Sequence, residues 1–176
     1  MNLLFETVSI LFAILLQIAC GSAAAFGFPF ALCALLVLSM RRNAVSAVVA
    51  AFFCGIAIDI ICGREFPGAA VSLPIAVAVG NVMLPEEPVR FFFGDYIMPG
   101  CAAVFTSEIL QTLIPLCYGK EWYHLVQNGG GVVLATILAT GFFPLWVLLS
   151  DRAAGKLEIR RIFSKTIKFA LRPARR

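Results

Sequence analysis

The sequence predicts an all-α membrane protein, a transmembrane bundle of six spanning helices. The 176-residue chain is 61% hydrophobic and 14% charged, whereas soluble domains contain about 25% charged residues. Its apolar residues form long runs, and a helix needs roughly 20 such residues to cross a bilayer. Lys and Arg are concentrated in alternate polar breaks and at the C-terminus, as is typical of the cytoplasmic side of a multi-pass protein.

The first three apolar runs cover roughly the first third of the chain. Residues 3–25 are long enough for a span and contain Gln17 as their one strongly polar interior side chain. Residues 26–40 form a shorter run with Gly27 and Pro29 near its start. This run crosses the bilayer only if its helix is tilted little or is extended at its ends. Residues 44–62 form the third predicted span.

Three further spans are predicted after a short connection. Residues 68–84 contain Pro74, which predicts a kink because proline lacks the backbone N–H of the helical ladder. Residues 96–117 form the fifth span, and residues 131–150 form the sixth. We expect the three glycines at 129–131 to be a flexible entry to the last span.

The positions of Lys and Arg predict the orientation. With the N-terminus inside, the cytoplasmic segments hold twelve basic residues, namely Arg41, Arg42, Arg90 and the nine after Asp151. The external connections hold only Arg64 and Lys120. Because cytoplasmic loops carry the excess of Lys and Arg, we expect both termini in the cytoplasm.

One carboxylate in the third run stands out. Asp59 lies midway between Gly55 and Gly63, and residues four apart share a helix face. Glycines let helix backbones approach closely, and an ionisable group inside a span marks a functional or specificity contact by default. We expect these residues to pack against a partner or within the bundle. The alternative is that Asp59, near its helix end, reaches water or headgroups.

A second polar feature lies in the fifth span. Glu108 and Gln111 are three residues apart, so they share a helix side and predict a polar seam inside the bundle. Asp59 and Glu108 could form a carboxylate pair for acid–base chemistry, although no motif places them near one another. We therefore predict that the protein is not an enzyme, and keep a small intramembrane enzyme as an alternative.

The cysteines predict neither a disulfide framework nor a metal site. Six occur in the chain, none in a C-x-x-C pair, and at least four lie well inside apolar runs, where cysteine behaves as a small hydrophobic residue. No cofactor is predicted. Nucleic acid is not an expected partner, because the excess positive charge lies next to a span, where it meets lipid headgroups.

The chain divides into a transmembrane domain, residues 1–150, and a basic cytoplasmic tail, residues 151–176. From residue 158 the tail alternates apolar and basic residues at helical spacing, which predicts an amphipathic helix on anionic lipid of the inner leaflet. A disordered basic tail is the alternative. The predicted membrane-surface residues are Arg160, Arg161, Lys165 and Lys168.

Three features together resemble the bacterial rod shape-determining protein MreD family. These are Pro29 at the start of the second run, the G-x-x-x-D-x-x-x-G pattern from Gly55 to Gly63, and the last span with Pro144 followed by Asp151 and Arg152. The loop 64–67 and the long basic tail differ from the family pattern. The resemblance covers most of the chain in length and topology, although its specific motifs are short.

The resemblance implies a non-enzymatic scaffold of the cell-elongation machinery that supports peptidoglycan synthesis. It implies an MreC-like partner, a link to the actin-like MreB filament, and a peptidoglycan synthase complex. A second hypothesis is the small-molecule-binding subunit of an energy-coupling-factor transporter, because those subunits are similar in size and span number and the MreD family is thought to resemble their fold. The short external connections offer few polar groups for such a ligand.

Overall fold

The computed structural model describes residues 2–23, 29–85, 91–119, 123–156 and 162. These residues form six helices and no strand, as the sequence predicts. In chain order the helices are α1 Asn2–Ala23, α2 Phe30–Arg41, α3 Ala44–Ile61, α4 Gly68–Met83, α5 Phe93–Cys117 and α6 Tyr123–Lys156.

Within the described chain, three helices are long and apolar enough to cross a membrane: α3, α5 and the 129–155 part of α6. The other apolar stretches have 10–17 residues, and they are α2, α4 and Leu4–Ala19 within α1. The predicted second span is represented by α2, which begins at Phe30 and has 12 residues. At 1.5 Å per residue it is about 18 Å long, less than the roughly 30 Å hydrocarbon layer.

The short helix α2 lies at the centre of the bundle. It contacts all the other helices, and nine of its residues are buried. Helices α3, α4, α5 and α6 pack successively against one another, and α1 packs mainly on α2. Helix α2 is apolar on every side, as is typical of a helix that is buried in the core of a protein.

Glycines allow the helices to approach closely within this core. A Cβ atom added at Gly80 of α4 would lie 2.8 Å from Leu36 Cδ2 of α2 and 3.0 Å from Ala103 Cβ of α5. A Cβ at Gly100 of α5 would lie 2.7 Å from the Phe143 ring of α6. Interiors are close-packed, so these helix spacings require residues without side chains.

Helix α6 differs from the expectation at both of its ends. It begins at Tyr123 and continues through the glycines at 129–131, so the predicted flexible entry is wrong. Glycine disfavours an isolated helix, yet a backbone inside a membrane must form its hydrogen bonds internally. At its C-terminal end α6 runs past residue 150 to Lys156, so the helix crosses the boundary between the two predicted segments.

Candidate functional site

Asp59, near the end of α3, binds the first turn of α4. Its side chain is 8% exposed. Its Oδ1 atom accepts a hydrogen bond from the backbone N–H of Ala69 at 3.0 Å, and its Oδ2 atom accepts one from Ala70 at 2.9 Å. Both carboxylate oxygens are therefore used inside the bundle.

The sequence of α4 explains why another helix supplies this cap. The N-cap residue of α4 is Pro67, which makes no side-chain capping hydrogen bond. The first backbone N–H groups of a helix have no partner within it, and the positive end of the helix dipole favours a negative charge. Asp59 supplies both the hydrogen-bond acceptors and the negative group from α3. In most helices an aspartate at the helix's own N-cap position has this role.

Gly55 lies one turn before Asp59 and makes this contact possible. A Cβ added at Gly55 would lie 2.5 Å from Ala70 Cα and would overlap the carbonyl group of Ala69. Backbone atoms cannot move aside as a flexible side chain can. Gly55 thus has the close-packing role that the sequence predicts, and the surface that it meets belongs to the same chain.

Gly63 does not have the packing role that its predicted helix face with Gly55 and Asp59 implies. Its φ is +60°, and a Cβ added there would meet no atom within 4 Å. The N–H of Gly63 donates to Ile60 O at 3.1 Å, and the N–H of Arg64 donates to Asp59 O at 2.9 Å. These two bonds define a Schellman motif, in which glycine commonly takes the left-handed position. Gly63 ends α3 and does not pack against a helix.

Arg64 connects the end of α3 to α5. Its NH1 group donates to Gln111 Oε1 at 2.6 Å and lies 3.6 Å from Asp59 Oδ1. Gln111 Nε2 in turn donates to Ser107 Oγ at 3.1 Å. Glu108, on the same part of α5, interacts electrostatically with Arg64. The polar seam predicted from Glu108 and Gln111 therefore joins the Asp59 contact through an arginine that sequence reasoning assigned only to a loop.

An open cleft of about 290 Å³ lies beside Arg64. Its lining residues come from the α3–α4 turn, the start of α4 and the last turns of α5, and they are Arg64, Glu65, Phe66, Gly68, Gln111, Ile114 and Pro115. The ring of Phe66 packs on Tyr118, with 4.6 Å between ring centroids. The cleft thus has charged and amide groups beside apolar ones, at one end of the bundle.

Arg41 organises a second polar cluster at the opposite end. Its NH2 group donates to Ser150 O at 2.9 Å, and its guanidinium carbon lies 5.0 Å from the centroid of the Phe5 ring. Its neighbour Arg42 forms an ion pair with Glu6. A cation in the last turn of α2 also interacts favourably with the helix dipole. These contacts tie α1, α2 and α6 together.

Asp151 belongs to the same end and is 1% exposed. Its Oδ1 atom accepts the backbone N–H of Ile162 at 2.7 Å, and Ile162 also packs against the core. In the sequence, Asp151 marks a boundary and belongs to the family resemblance, and no contact is predicted for this residue. The sequence did contain a signal for this burial, since Asp151 shares one helix face with the apolar residues Val147 and Ala154. The structure buries all three.

The remaining predicted site residues lie outside the described part of the chain. They are the basic tail residues Arg160, Arg161, Lys165 and Lys168. Among the residues that the structure describes, no three His, Cys, Asp or Glu side chains are grouped as metal ligands would be.

No family model matches this chain, and no curated protein or solved structure shows significant similarity to it.

Proposed function

We propose that this protein is a non-enzymatic scaffold subunit of the bacterial cell-elongation machinery, similar to the MreD family. In this proposal six spans cross the inner membrane with both termini in the cytoplasm. The bundle binds an MreC-like partner and is linked to the actin-like MreB filament and the peptidoglycan synthase complex. The basic tail meets anionic lipid, and the six-span arrangement resembles energy-coupling-factor substrate-binding subunits.

The role of Asp59 supports this proposal most directly. Both of its oxygens accept backbone N–H groups of α4, so each oxygen directs one lone pair into a helix end. A general base instead directs its lone pair at the proton that it removes. The intramembrane carboxylate therefore maintains bundle geometry, which is what a rigid docking subunit requires.

The outward faces of α1 and α3 give such a subunit its contact surface. Exposed large apolar side chains recur along α1 at helical spacing, namely Leu4, Val8, Leu11, Phe12 and Leu15. A corresponding set on α3 consists of Val45, Val49, Phe52, Phe53 and Ile60. In a bilayer these surfaces contact either lipid or the spans of another protein.

Co-purification from native membranes tests the scaffold proposal. The full-length tagged chain is extracted gently, and the co-purifying proteins are identified by mass spectrometry. We expect elongation proteins to be recovered, and Asp59→Leu to lower their recovery along with bundle stability. The matched control is Asp95→Leu, because Asp95 is exposed in the first turn of α5. Normal recovery with Asp59→Leu at normal protein levels would contradict the proposal.

The cleft beside Arg64 favours a second candidate, a small-molecule-binding subunit of an energy-coupling-factor-type transporter. In the proposed orientation this cleft opens to the outside, where such a subunit captures its ligand. The same co-purification separates the two candidates, since a transporter subunit would be recovered with a pair of ATPases and without elongation proteins.

A further inference from the structure

The cleft beside Arg64 has a size and position that fit part of a lipid. Its volume of about 290 Å³ lies at the lower limit of ligand pockets, which span roughly 300–1,000 Å³. It is open and lies where α3 ends and α4 begins. In a bundle that spans the bilayer, helix ends lie near the lipid headgroups.

The lining of the cleft combines the two kinds of surface that a phospholipid presents. Arg64 and Gln111 form a polar wall, and Phe66, Ile114 and Pro115 form an apolar one. A guanidinium has five N–H donors in a planar fork that matches phosphate. The hydrogen bond from NH1 to Gln111 Oε1 uses one of them and holds the side chain at the cleft.

The charges around the cleft favour a headgroup that carries both signs. Among the residues that the structure describes, Arg64 and Glu65 are the charged residues that line the cleft. Asp59, behind the cleft, lies 3.6 Å from Arg64 NH1. A phosphate is attracted to Arg64, and an ammonium group beside the phosphate is attracted to Glu65.

We propose that this cleft binds the phosphoethanolamine headgroup of a membrane phospholipid. Arg64 binds the phosphate, Glu65 binds the ammonium group, and Phe66, Ile114 and Pro115 contact the start of the acyl chains. This inference goes beyond the scaffold proposal and does not depend on it, and it assigns to a lipid the cleft in which the second candidate function would place a transported ligand.

Native mass spectrometry of the full-length protein in mild detergent tests this site. The protein is titrated with phosphatidylethanolamine and, separately, with phosphatidylglycerol of the same acyl chains. We expect tighter binding of phosphatidylethanolamine. Arg64→Gln should weaken binding of this lipid about tenfold or more, because a charge-assisted hydrogen bond is lost. Glu65→Gln should reduce the preference for it over phosphatidylglycerol.

Two controls make the result specific. Arg152→Gln changes an exposed arginine at the opposite end of the bundle and should leave binding unchanged. Glu65→Gln leaves the Arg64–Gln111 hydrogen bond in place, so it tests the cleft even if Arg64→Gln unfolds. A third arm offers soluble phosphoethanolamine, which we expect to bind far more weakly than the lipid.

Three outcomes would overturn the proposal. Equal binding of the two lipids would refute the zwitterionic headgroup. Wild-type affinity and lipid preference in the Glu65→Gln variant would remove the cleft from the interaction. Binding of soluble phosphoethanolamine as tight as that of the lipid would identify a site for a free ligand.

Discussion

The carboxylate of Asp59 in α3 accepts the backbone N–H of Ala70 in α4 at 2.9 Å, and its second oxygen accepts the N–H of Ala69. A carboxylate in a predicted span thereby meets a helix terminus of its own chain, and Arg64 NH1 lies 3.6 Å from it. This contact fixes where α4 begins, and it fixes the α3–α4 hairpin against which α5 packs.

Replacing Asp59 should destabilise the bundle. Asp59→Asn keeps the shape but turns an NH₂ group toward a backbone N–H, which leaves a buried donor unsatisfied. We expect the free energy of unfolding to fall by about 1–3 kcal/mol, and by more for Asp59→Leu. Unfolding in detergent micelles measures this. Asp95→Asn, at an exposed position in α5, should change stability by less than about 0.5 kcal/mol. Equal effects of both Asn variants would contradict the capping role.

Adding a methyl group at Gly55 should separate α3 from α4. The new Cβ would overlap backbone atoms of Ala69 and Ala70, so we expect Gly55→Ala to cost about 1–3 kcal/mol. The matched control is Gly141→Ala, because a Cβ at Gly141 in α6 meets no atom within 4 Å. This control should be neutral or stabilise by up to about 1 kcal/mol, since alanine favours the helix. Thermal unfolding of both variants checks the difference, and a neutral Gly55→Ala would refute close packing.

Gly63 should respond to backbone conformation and not to side-chain size. Its φ of +60° and open surroundings predict that Gly63→Ala costs about 1–2 kcal/mol. Gly63→Asn should cost less, because asparagine tolerates the left-handed region. A packing role would give the opposite order, since asparagine is larger than alanine. Unfolding midpoints of the two variants decide between these roles.

Gly80 and Leu36 should be energetically coupled. A Cβ at Gly80 would lie 2.8 Å from Leu36 Cδ2, so Gly80→Ala should destabilise the wild-type chain. The same substitution should cost less after Leu36→Ala has made space, with a coupling of about 0.5–3 kcal/mol. A double-mutant cycle by thermal unfolding measures this value. Strict additivity would show that α2 and α4 are not in steric contact there.

The native cysteines offer a test of orientation. Cys62 is exposed at the end of α3, on the predicted external side. A variant that retains only Cys62 should react with a membrane-impermeant maleimide applied to intact spheroplasts. A variant whose one cysteine is Arg152→Cys, exposed at the other end of the bundle, should react only after permeabilisation. The reverse pattern would refute the proposed topology.

Much of the architecture follows from the sequence because it depends on local chemistry. Apolar runs predicted all six helices to within a few residues at most ends, and the glycine spacing around Asp59 correctly marked a close contact at Gly55. The predicted packing role of Gly63 is wrong. A glycine on a packed helix face and a glycine in a C-terminal Schellman motif can occupy the same sequence position. Only the φ angle and the surrounding space distinguish them.

Composition and residue spacing are enough to identify an apolar, all-helical chain with a carboxylate beside a glycine that packs closely. What that carboxylate contacts depends on how the helices pack. The N-terminus of α4 lies ten residues further along the chain, and a turn that includes Gly63 and Pro67 brings it back onto Asp59. The packing of α5 against α4 also places Gln111 beside Arg64, although the two residues are 47 positions apart in the chain. Hydrogen bonds between side chains on different helices depend on how those helices pack. The spacing of residues along one helix does not predict which residues of another helix they contact.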